Sequence, residues 1–466
     1  MPAPLTRPRL CYNVPSMNYP NSYPSLAKLL KRHNILVTSE NLFLCLDVDA
    51  GQLTPTIYKI LELVWLSVKD THFLVLRGVP FCFLPYARHR ILYPGLRKQT
   101  TRTIEACGSC CLQGKCPGWP AKSSYPLSRI QPVIDMPNEI VFEITARCNL
   151  SCRYCTGIKQ AHTELSFAQV RTVLDEALAL GIRAVRFTGG EPLLHPELLQ
   201  MLSLAKQMGF YVLLNTNATI LPDATRQVLA RTVDNILVSL QGHDADSEKE
   251  LTNDAQHSFT EKIRHLFQLR TIIPIFRVGT VISQPLLDRL PAYFLFIKTL
   301  RPNSWELFRP MALPLTDPRS EIPAFQKLLK TLLYMNQQGL RAILANAMPF
   351  CVLPDLTMAA SVLLGAASDD GHSRLVMDAR GYFKSSYFMP ENIGPTIHSA
   401  WHSAERKNNC SVSLLPDACQ SCDHFNWCLA GSRSMARFCS GTYQDLDPLF
   451  TTRPSNARHI MPGRNV

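Results

Sequence analysis

Between residues 138 and 338, short apolar segments alternate with longer segments whose apolar residues recur at helical spacing. The first apolar segment covers residues 140–145 and the first helical one residues 166–180, with Ser166 as the predicted cap and Gly181 as the predicted stop. Five further pairs follow. Such alternation places βα units around a parallel sheet, so six units predict an α/β fold with a partial or complete barrel. In these folds the functional loops follow the carboxyl ends of the strands.

The 466-residue chain is too long for one typical domain, and its composition changes on both sides of this alternation. On the N-terminal side, residues 42–48 and 71–76 are predicted strands and residues 57–68 a predicted helix. We predict five parts: an extended arm at 1–25, an α+β domain ending in a cysteine-rich cluster loop at 26–137, the barrel at 138–341, a cysteine-rich domain at 342–452 and a tail at 453–466.

The formal net charge of +12 is compatible with nucleic acid, an acidic leader peptide or a phosphorylated substrate. The basic residues are spread along the chain, and the densest patch, residues 88–102, is interpreted as a solvated face. Without a recognisable RNA-binding module, nucleic acid is not an expected partner. The longest apolar stretches, such as residues 79–87 and 358–367, are too short for a bilayer, and no secretory signal is visible. We therefore expect a cytoplasmic protein without membrane association.

The sixteen cysteines are clustered, which in a cytosolic chain indicates metal binding rather than disulfides. Three groups stand out: Cys107, Cys110, Cys111 and Cys116; Cys148, Cys152 and Cys155; and Cys419, Cys422, Cys428 and Cys439.

The central group has the spacing C-x3-C-x2-C and directly follows the first predicted barrel strand. Thiolates suit both iron–sulfur clusters and zinc. Three thiolates leave a [4Fe-4S] cluster one ligand short, so that its fourth iron can bind a small molecule. A structural zinc site is closed by four ligands, and His162 could supply the fourth. From spacing alone, both metals remain open.

Two segments make the interpretation specific. Residues 143–155, Glu-Ile-Thr-Ala-Arg-Cys-Asn-Leu-Ser-Cys-Arg-Tyr-Cys, resemble the signature loop of the radical S-adenosylmethionine (SAM) superfamily. Residues 187–192, Phe-Thr-Gly-Gly-Glu-Pro, resemble the Gly-Gly-Glu-Pro motif of the same family and lie one βα unit later. The resemblance implies a partial (β/α)6 TIM-type radical SAM barrel with cysteine-rich N-terminal and C-terminal extensions.

The resemblance also implies residue roles. Cys148, Cys152 and Cys155 would hold the catalytic [4Fe-4S] cluster with its open iron site. Cofactor-binding residues would meet SAM at the amino group, the ribose or carboxylate, and the adenine: Gly189, Gly190, Glu191 and Pro192; Asn217 and Ser239; and Tyr154 and Met311. For Asn217, Ser239, Tyr154 and Met311, an ordinary strand-end or core role is equally compatible with the sequence.

The reaction implied by the family begins when the reduced cluster donates one electron to SAM. SAM then splits into methionine and a 5′-deoxyadenosyl radical, which abstracts hydrogen from an unactivated carbon. The protein must hold the partners together and keep the radical away from water. An external one-electron reductant of the flavodoxin or ferredoxin type is the expected partner.

The C-terminal cysteines, C-x2-C-x5-C at 419–428, resemble the SPASM extension of radical SAM peptide maturases, which binds auxiliary clusters. Cys439 would complete one ligand set. The family pattern expects two more cysteines, at positions where this chain has Ser432 and Ser386. The resemblance therefore implies a reduced SPASM-like domain that lacks the first auxiliary cluster. A four-thiolate zinc site is the alternative.

The N-terminal group repeats the same spacing in Cys107, Cys110 and Cys116, which predicts a second auxiliary cluster ahead of the barrel. Its fourth ligand could be Cys111, Cys82 or a substrate atom, with Cys82 preferred. A zinc knuckle or free thiols are the alternatives. Altogether the chain is expected to hold one or two auxiliary iron–sulfur clusters.

The function expected from these features is that of a radical SAM oxidoreductase that modifies a ribosomally made peptide or protein. The SPASM-like tail and the basic charge favour this hypothesis. The alternative is an enzyme of cofactor biosynthesis that acts on a tetrapyrrole, a quinone precursor or a metal cofactor, since such families share the same tail. A nucleic-acid modifier and a non-enzymatic iron–sulfur carrier fit the sequence less well.

Overall fold

The computed structural model describes a large part of the chain. The described residues are 30–40, 43–48, 53–68, 73–77, 79–80, 91–92, 101–102, 104, 119–120, 124, 135–155, 157, 163–254, 256–310, 322–352, 362–363, 371–389, 391–409, 419, 428 and 430–450.

The centre of the molecule is a sheet of nine strands in the order β13-β12-β11-β10-β9-β8-β7-β14-β15. Neighbouring strands from β7 to β13 are parallel, β14 is parallel to β7, and β15 is antiparallel to β14. The strands are β7 (Glu139–Thr145), β8 (Ala184–Gly189), β9 (Tyr211–Thr216), β10 (Asn235–Ser239), β11 (Ile275–Val281), β12 (Ser304–Phe308), β13 (Ala342–Leu344), β14 (Arg374–Met377) and β15 (Phe383–Lys384).

Helices connect the parallel strands. They are α2 (Phe167–Ala179), α3 (Leu198–Gln207), α4 (Asp223–Thr232), α5 (Ala245–Thr252), α6 (Phe259–Ile272), α7 (Gln284–Asp288), α8 (Leu290–Leu300) and α9 (Ile322–Gln337). Three more helices follow β15 in the chain: α10 (Ile397–Trp401), α11 (Ala404–Asn409) and α12 (Arg433–Ser440). The predicted six βα units are thereby confirmed, and the fold is α/β with a parallel sheet of the partial-barrel type.

A smaller sheet precedes the barrel, with the order β1-β2-β3-β4. The predicted strands and helix in this region are present. The elements are β1 (Leu36–Glu40), β2 (Phe43–Asp47), α1 (Pro55–Val68), β3 (Phe73–Arg77) and β4 (Ile91–Leu92), followed by the paired short strands β5 (Thr101–Arg102) and β6 (Trp119–Pro120).

Local sequence explains where the first barrel helix begins and ends. Ser166 caps α2, since its hydroxyl accepts a hydrogen bond from the Gln169 amide while the Gln169 side-chain oxygen accepts one from the Ser166 amide. Gly181 follows the helix with a φ of +77°, a conformation that glycine adopts without strain. Both features are as the sequence predicts.

Two departures from the predicted elements have clear causes. The single helix expected at residues 286–300 is divided into α7 and α8 at Arg289, and Pro291 lies in the first turn of α8, where its missing N–H costs nothing. Helix α5 was not expected, because its sequence, Ala-Asp-Ser-Glu-Lys-Glu-Leu-Thr, has almost no apolar residues. Its start is fixed by a capping box between Asp244 and Ser247.

The sheet continues beyond residue 341, where the predicted barrel ends. Strand β13 extends one edge, while β14 and β15 extend the other edge beside β7. The predicted division of the chain into five parts therefore remains a prediction, and the sheet runs across one of its boundaries.

The two faces of the sheet have different compositions. In β7, Ile140, Phe142 and Ile144 belong to the main apolar core between sheet and helices. Glu139 and Glu143 alternate with them and therefore lie on the opposite, concave face, which we call the lumen. At the amino-terminal end of the lumen, Arg186 pairs with Glu139 at 2.7 Å. Arg277 pairs with Glu306 at 2.8 Å, and Arg277 lies on the same face of the sheet, since Phe276 and Val278 belong to the apolar core.

Within the described part of the chain, no helix combines the length and the apolar character needed to cross a bilayer.

Candidate active site at the carboxyl end of the barrel

The central cysteines lie in the loop that leaves the carboxyl end of β7, where functional loops of such barrels are expected. The three thiols are close enough to influence one another. Cys148 is an exposed residue, but the protein atoms around its thiol partly desolvate it, and this desolvation raises its pKa to about 11. The neighbouring Glu191, Cys152 and Cys155 raise the pKa further. Burial also raises the pKa of Cys152. Cys155 is exposed. The structure thus brings the predicted cluster ligands together.

One side of this loop is fixed to the segment that leads into α2. The Ala146 amide donates to the Thr163 carbonyl at 3.0 Å. The Arg147 guanidinium donates to Glu164 at 2.7 Å and to the Leu194 carbonyl at 2.9 Å. The residues just before Cys148 are therefore fixed both by the segment at Thr163 and Glu164 and by the turn that contains Leu194.

The other side of the loop is fixed to the end of α5. The Ser151 amide donates to the Thr252 carbonyl at 3.3 Å, and the Arg153 amide donates to the Leu251 carbonyl at 3.0 Å. These carbonyls belong to the last turn of a helix and have no partner within it. The helix that sequence periodicity missed is thus a support of the cysteine loop.

The Gly-Gly-Glu-Pro segment packs directly against the same loop through its backbone. The Gly190 amide donates to the Thr145 carbonyl at 2.7 Å, and the Glu191 amide donates to the Arg147 carbonyl at 2.8 Å. A Cβ on Gly190 would lie 2.0 Å from the Arg147 oxygen, and one on Gly189 would lie 2.4 Å from the Thr145 oxygen. Only glycine permits this approach, so the two sequence motifs form one structural unit.

The Glu191 side chain is buried and is used within the protein. Its carboxylate accepts hydrogen bonds from the Thr216 hydroxyl at 2.6 Å, the Asn217 amide at 2.7 Å and the Leu193 amide at 3.0 Å. Burial raises its pKa, and these hydrogen bonds oppose that rise. The residue therefore joins the end of β8 to the end of β9. Pro192, also buried, opens the short 3-10 turn Pro192–Leu194.

Asn217 contacts the cysteine loop. Its side-chain nitrogen donates to the Asn149 oxygen at 2.9 Å and lies 4.0 Å from Cys148 Sγ. Its oxygen accepts from the Thr219 amide and hydroxyl at 2.9 and 2.7 Å. Asn217 thus lies beside the proposed cluster ligands. Its role toward SAM stays a prediction.

The remaining predicted cofactor residues are placed as follows. Tyr154 lies near the Cys152 thiol, and burial raises the pKa of Tyr154 well above its usual value. Ser239 ends β10 on its lumen side, since Ile236 and Val238 face the core. Met311 lies outside the described residues. None of these positions tests a contact with SAM.

Two residues that the sequence analysis did not select line the lumen beneath the cysteine loop. Lys384 on β15 donates from Nζ to Glu143 on β7 at 2.8 Å, and the lysine side chain is 5% exposed. Burial raises the pKa of Glu143, while Lys384 lowers it. The alternation of Glu139 and Glu143 with apolar residues in β7 was the available signal, because acidic residues on one face of a buried strand indicate a polar interior.

The flanking cysteines are described only in part. Cys419 is buried beside Ala430 and Phe450, and Cys428 is buried with its sulfur accepting from the Phe350 amide at 3.2 Å. Cys439 is exposed on α12. The other predicted auxiliary ligands and their alternatives lie outside the described residues: Cys422, Cys107, Cys110, Cys116, Cys111 and Cys82. His162, the possible fourth ligand of a zinc site in the central loop, also lies outside them.

Ser432, which stands where the SPASM pattern has a cysteine, has a structural role. Its hydroxyl accepts from the Met435 amide and caps α12, while its own amide donates to Asp447 at 2.8 Å. The carboxylate of Asp447 also pairs with Arg309. The position is therefore occupied by a hydrogen-bonded serine beside a buried ion pair.

The residues of the central loop fit a [4Fe-4S] cluster and SAM. Three thiols match a cubane cluster that keeps one iron free, and the glycines at 189 and 190 let the second segment lie directly against the loop that carries these thiols. Among the described residues, no three histidine, cysteine or acidic side chains surround a single ion position. A cluster does not require that arrangement, since each thiolate binds a different iron.

The family assignment follows from comparison with known proteins. Residues 142–283 match the model of the radical SAM superfamily, and this segment contains both motifs of the site. This part of the chain is therefore a radical SAM domain, and the relatives of the chain are SPASM-type enzymes of that superfamily. The family implies a [4Fe-4S] cluster and SAM as cofactors.

Individual relatives differ in how much of the chain they match. An AdoMet-dependent heme synthase of Methanosarcina barkeri is 23% identical over 342 residues, which cover 68% of this chain and 97% of the synthase. A PqqA peptide cyclase of Gluconobacter oxydans is 35% identical over 109 residues, which cover 22% of this chain and 30% of the cyclase. The chain therefore spans nearly all of the first relative but less than a third of the second.

Two solved structures share the fold. Streptococcus suis SuiB bound to its precursor peptide SuiA superposes with a TM-score of 0.55 at 14% identity, covering 67% of this chain and 75% of SuiB. The enzyme anSMEcpe with bound AdoMet and the peptide Cp18Cys gives a TM-score of 0.53 at 14% identity, covering 67% and 93%. At these identities the likeness concerns the fold.

Proposed function

We propose that this chain reductively cleaves SAM at a [4Fe-4S] cluster held by Cys148, Cys152 and Cys155, and that it abstracts hydrogen from a peptide or protein substrate. The observation that carries the proposal is the joining of the two motifs. Gly189 and Gly190 lie against the backbone of the cysteine loop so closely that no other residue fits. When bound, the cluster and SAM supply the 5′-deoxyadenosyl radical that activates an unactivated carbon.

The chain's own residues hold and enclose the reacting groups. The loop of residues 146–155 is fixed on one side by Glu164 and on the other by the end of α5. Glu191, which follows β8, accepts a hydrogen bond from the Asn217 amide at the end of β9 and so fixes the position of Asn217. The Asn217 side-chain nitrogen then lies 4.0 Å from the sulfur of Cys148. Asn217, Ser239, Tyr154 and Met311 would contact SAM. The lumen below the loop would enclose the reacting carbon and exclude water.

The SPASM-like C-terminal segment supports a peptide substrate, as does the fold shared with two enzymes solved with peptides. Cys419, Cys422, Cys428 and Cys439 would hold one auxiliary cluster, and Cys107, Cys110 and Cys116 another. These clusters could accept an electron from the substrate. An external flavodoxin or ferredoxin would reduce the catalytic cluster. The structured environment of Ser432 supports the absence of a further auxiliary cluster.

One observation favours a second candidate, a cofactor-biosynthesis enzyme. The heme synthase relative is matched over 97% of its length, whereas the peptide cyclase is matched over 30%. A match over nearly the whole synthase is not confined to the radical SAM domain, so it supports a shared architecture that includes the C-terminal segment. The substrate would then be a tetrapyrrole or a similar precursor, and the radical chemistry would be the same.

Deuterium transfer distinguishes the two substrates. The anaerobically reconstituted enzyme would be given SAM, dithionite and either a deuterated peptide encoded near its gene or a deuterated tetrapyrrole precursor. Deuterium in 5′-deoxyadenosine from the peptide alone is the expected result. Transfer from the tetrapyrrole alone would replace the peptide proposal with the second candidate. The Cys148→Ala variant is the control, because it should transfer no deuterium from either compound.

A further inference from the structure

A histidine outside the two sequence motifs is joined to the cysteine loop by hydrogen bonds. His257 lies in the connection between α5 and α6, and its Nε2 is 3.2 Å from the side-chain nitrogen of Asn149. Asn149 directly follows Cys148 in the chain. On the other side of the ring, Nδ1 lies 3.0 Å from Oδ1 of Asp254. These contacts form a chain that leads from a carboxylate to the residue beside the first cysteine.

The direction of each hydrogen bond between these side chains is fixed by one backbone amide. The Thr219 amide can only donate, so the side-chain atom of Asn217 that it meets at 2.9 Å must be the oxygen. The nitrogen of Asn217 therefore faces Asn149, whose oxygen accepts from it at 2.9 Å. The nitrogen of Asn149 consequently faces the Thr219 hydroxyl, at 2.7 Å, and the His257 ring.

The orientation of Asn149 determines the tautomer of His257. An amide nitrogen only donates, so Nε2 of His257 must accept, and the ring proton must be on Nδ1. That proton is directed at Asp254, whose Oδ1 also accepts from the Gln256 and His257 amides at 2.9 and 3.0 Å. Burial opposes the charge of Asp254, but these hydrogen bonds prevail and lower its pKa. An ionised carboxylate thus holds the ring in one orientation and as one tautomer.

Asn149 is connected to two N–H groups that point at the sulfur of Cys148. The Leu150 amide, which shares a peptide unit with Asn149, donates to Cys148 Sγ at 3.4 Å. The Asn217 side-chain nitrogen, which donates to the Asn149 oxygen, lies 4.0 Å from the same sulfur. Because both donors are attached to Asn149, by a covalent bond or by a hydrogen bond, a fixed Asn149 side chain holds both of them in place.

We propose that His257 is a positioning residue for the catalytic cluster, and that it acts through Asn149 by holding these two N–H donors on the sulfur of Cys148. N–H donors on a ligand sulfur favour the more negative, reduced state of a cluster and so raise its reduction potential. The inference rests on the proposed function in one respect, that Cys148 is a cluster ligand. It identifies a residue outside both motifs that sets how readily the cluster accepts an electron.

Two substitutions separate the two contacts of His257. In His257→Gln, the amide oxygen lies as many bonds from the backbone as Nε2 does, so it can accept from Asn149. In His257→Asn, the side chain is one bond shorter, so it can donate to Asp254 in place of Nδ1 but does not reach Asn149. Both new side chains are polar and the His257 side chain is 20% exposed, so both variants should fold. His398→Asn is the control, because it makes the same change at an exposed position of α10.

The measurement is the reduction potential of the catalytic cluster, from a redox titration of the reconstituted full-length protein followed by electron paramagnetic resonance. The catalytic signal is the one that disappears when Cys148, Cys152 and Cys155 are changed to Ala. We expect His257→Asn to lower the potential, with the equilibrium constant for reduction falling about fivefold. His257→Gln and His398→Asn should keep the wild-type value.

The potential is the decisive readout, since a purely structural role of His257 would reduce the amount of cluster or the unfolding midpoint without changing the potential of the cluster that remains. An unchanged potential in His257→Asn would overturn the proposal. An equal shift in His257→Gln would also overturn it, because that variant keeps an acceptor for Asn149.

Measuring 5′-deoxyadenosine in the same preparations separates this inference from the proposed function. Wild type that forms no 5′-deoxyadenosine, while His257→Asn shifts the potential as expected, would contradict the proposed function and leave the role of His257 standing. SAM cleavage by wild type, with equal potentials in wild type and His257→Asn, would do the reverse. Wild type without any signal that depends on the three cysteines would overturn both.

Discussion

Arg309 and Asp447 form a bidentate ion pair, with N–O distances of 2.8 and 2.9 Å, and both side chains are fully buried. Arg309 follows β12, the sixth strand of the barrel, whereas Asp447 lies near the end of the described C-terminal segment. The same carboxylate accepts from the Ser432 amide and the Leu449 amide. The pair thus joins the barrel to the segment that carries Cys428 and Cys439.

Removing one member of this pair should destabilise the protein strongly. Asp447→Ala leaves a buried guanidinium without its counter-ion, and such losses cost about 3–5 kcal/mol. We expect a clear fall in the thermal unfolding midpoint, measured by circular dichroism. Glu261→Ala is the matched control, because it breaks an exposed pair with Arg264 at 3.3 Å, which should contribute about 0.5 kcal/mol or less. Equal effects of the two substitutions would contradict the structural role of Asp447.

Gly190→Ala should abolish SAM cleavage. Its Cβ would lie 2.0 Å from the Arg147 carbonyl oxygen, so the cysteine loop and the glycine segment would have to move apart. The measurement is 5′-deoxyadenosine formed under dithionite, with iron content determined in parallel. Gly209→Ala serves as the control, since no atom lies within 4 Å of its added Cβ. It should lose about 1 kcal/mol of stability through its positive φ and keep its activity. Full cleavage by Gly190→Ala would mean that the close approach is dispensable.

Acidification should destabilise the protein partly through His372. Its pKa is lowered to about 4, mainly by burial and further by Arg406 and Arg433, from an ordinary value of 6.5. Between those two values the unfolded chain binds a proton that the folded chain does not, so stability falls as pH falls. His372→Gln should reduce the decrease in unfolding midpoint measured from pH 7 to about pH 5. An unchanged decrease would show that other groups cause it.

Cys428→Ala should remove one auxiliary cluster and leave the catalytic one. We expect anaerobically purified wild type to hold about 8 to 12 iron atoms per chain and the variant about four fewer. SAM cleavage under dithionite should persist in the variant. Zinc in wild type, lost in Cys428→Ala without loss of iron, would instead identify the C-terminal cysteines as a zinc site.

Much of the fold could be predicted because local signals agree with the tertiary structure. Ser166 and Gly181 mark the limits of a helix through capping and a positive φ, and both act over one turn of chain. Helix α5 escaped prediction because it has little apolar periodicity, and its support for the cysteine loop depends on Thr252 and Leu251 carbonyls that no sequence pattern reveals. Strand β14 pairs with β7 across more than two hundred residues, and periodicity carries no information on such pairing.

In the candidate site, the contiguous motifs could be predicted from the sequence, whereas residues brought in from distant strands could not. Contiguous motifs located the loop of Cys148 and the segment of Gly190, which the structure places against each other. Lys384 could not be found, because its meaning depends on a partner on β7 and on an interior that only the folded sheet creates. The alternation of Glu143 with apolar neighbours was the single hint available in the sequence.

Formation of 5′-deoxyadenosine tests the central claim most directly. Reconstituted wild type and a variant with Cys148, Cys152 and Cys155 all changed to Ala would be incubated with SAM and dithionite, and the product would be quantified by chromatography. We predict 5′-deoxyadenosine and methionine in equal amounts from wild type and none from the variant, which should keep the iron of its auxiliary sites. No product from wild type with its clusters intact would contradict the account.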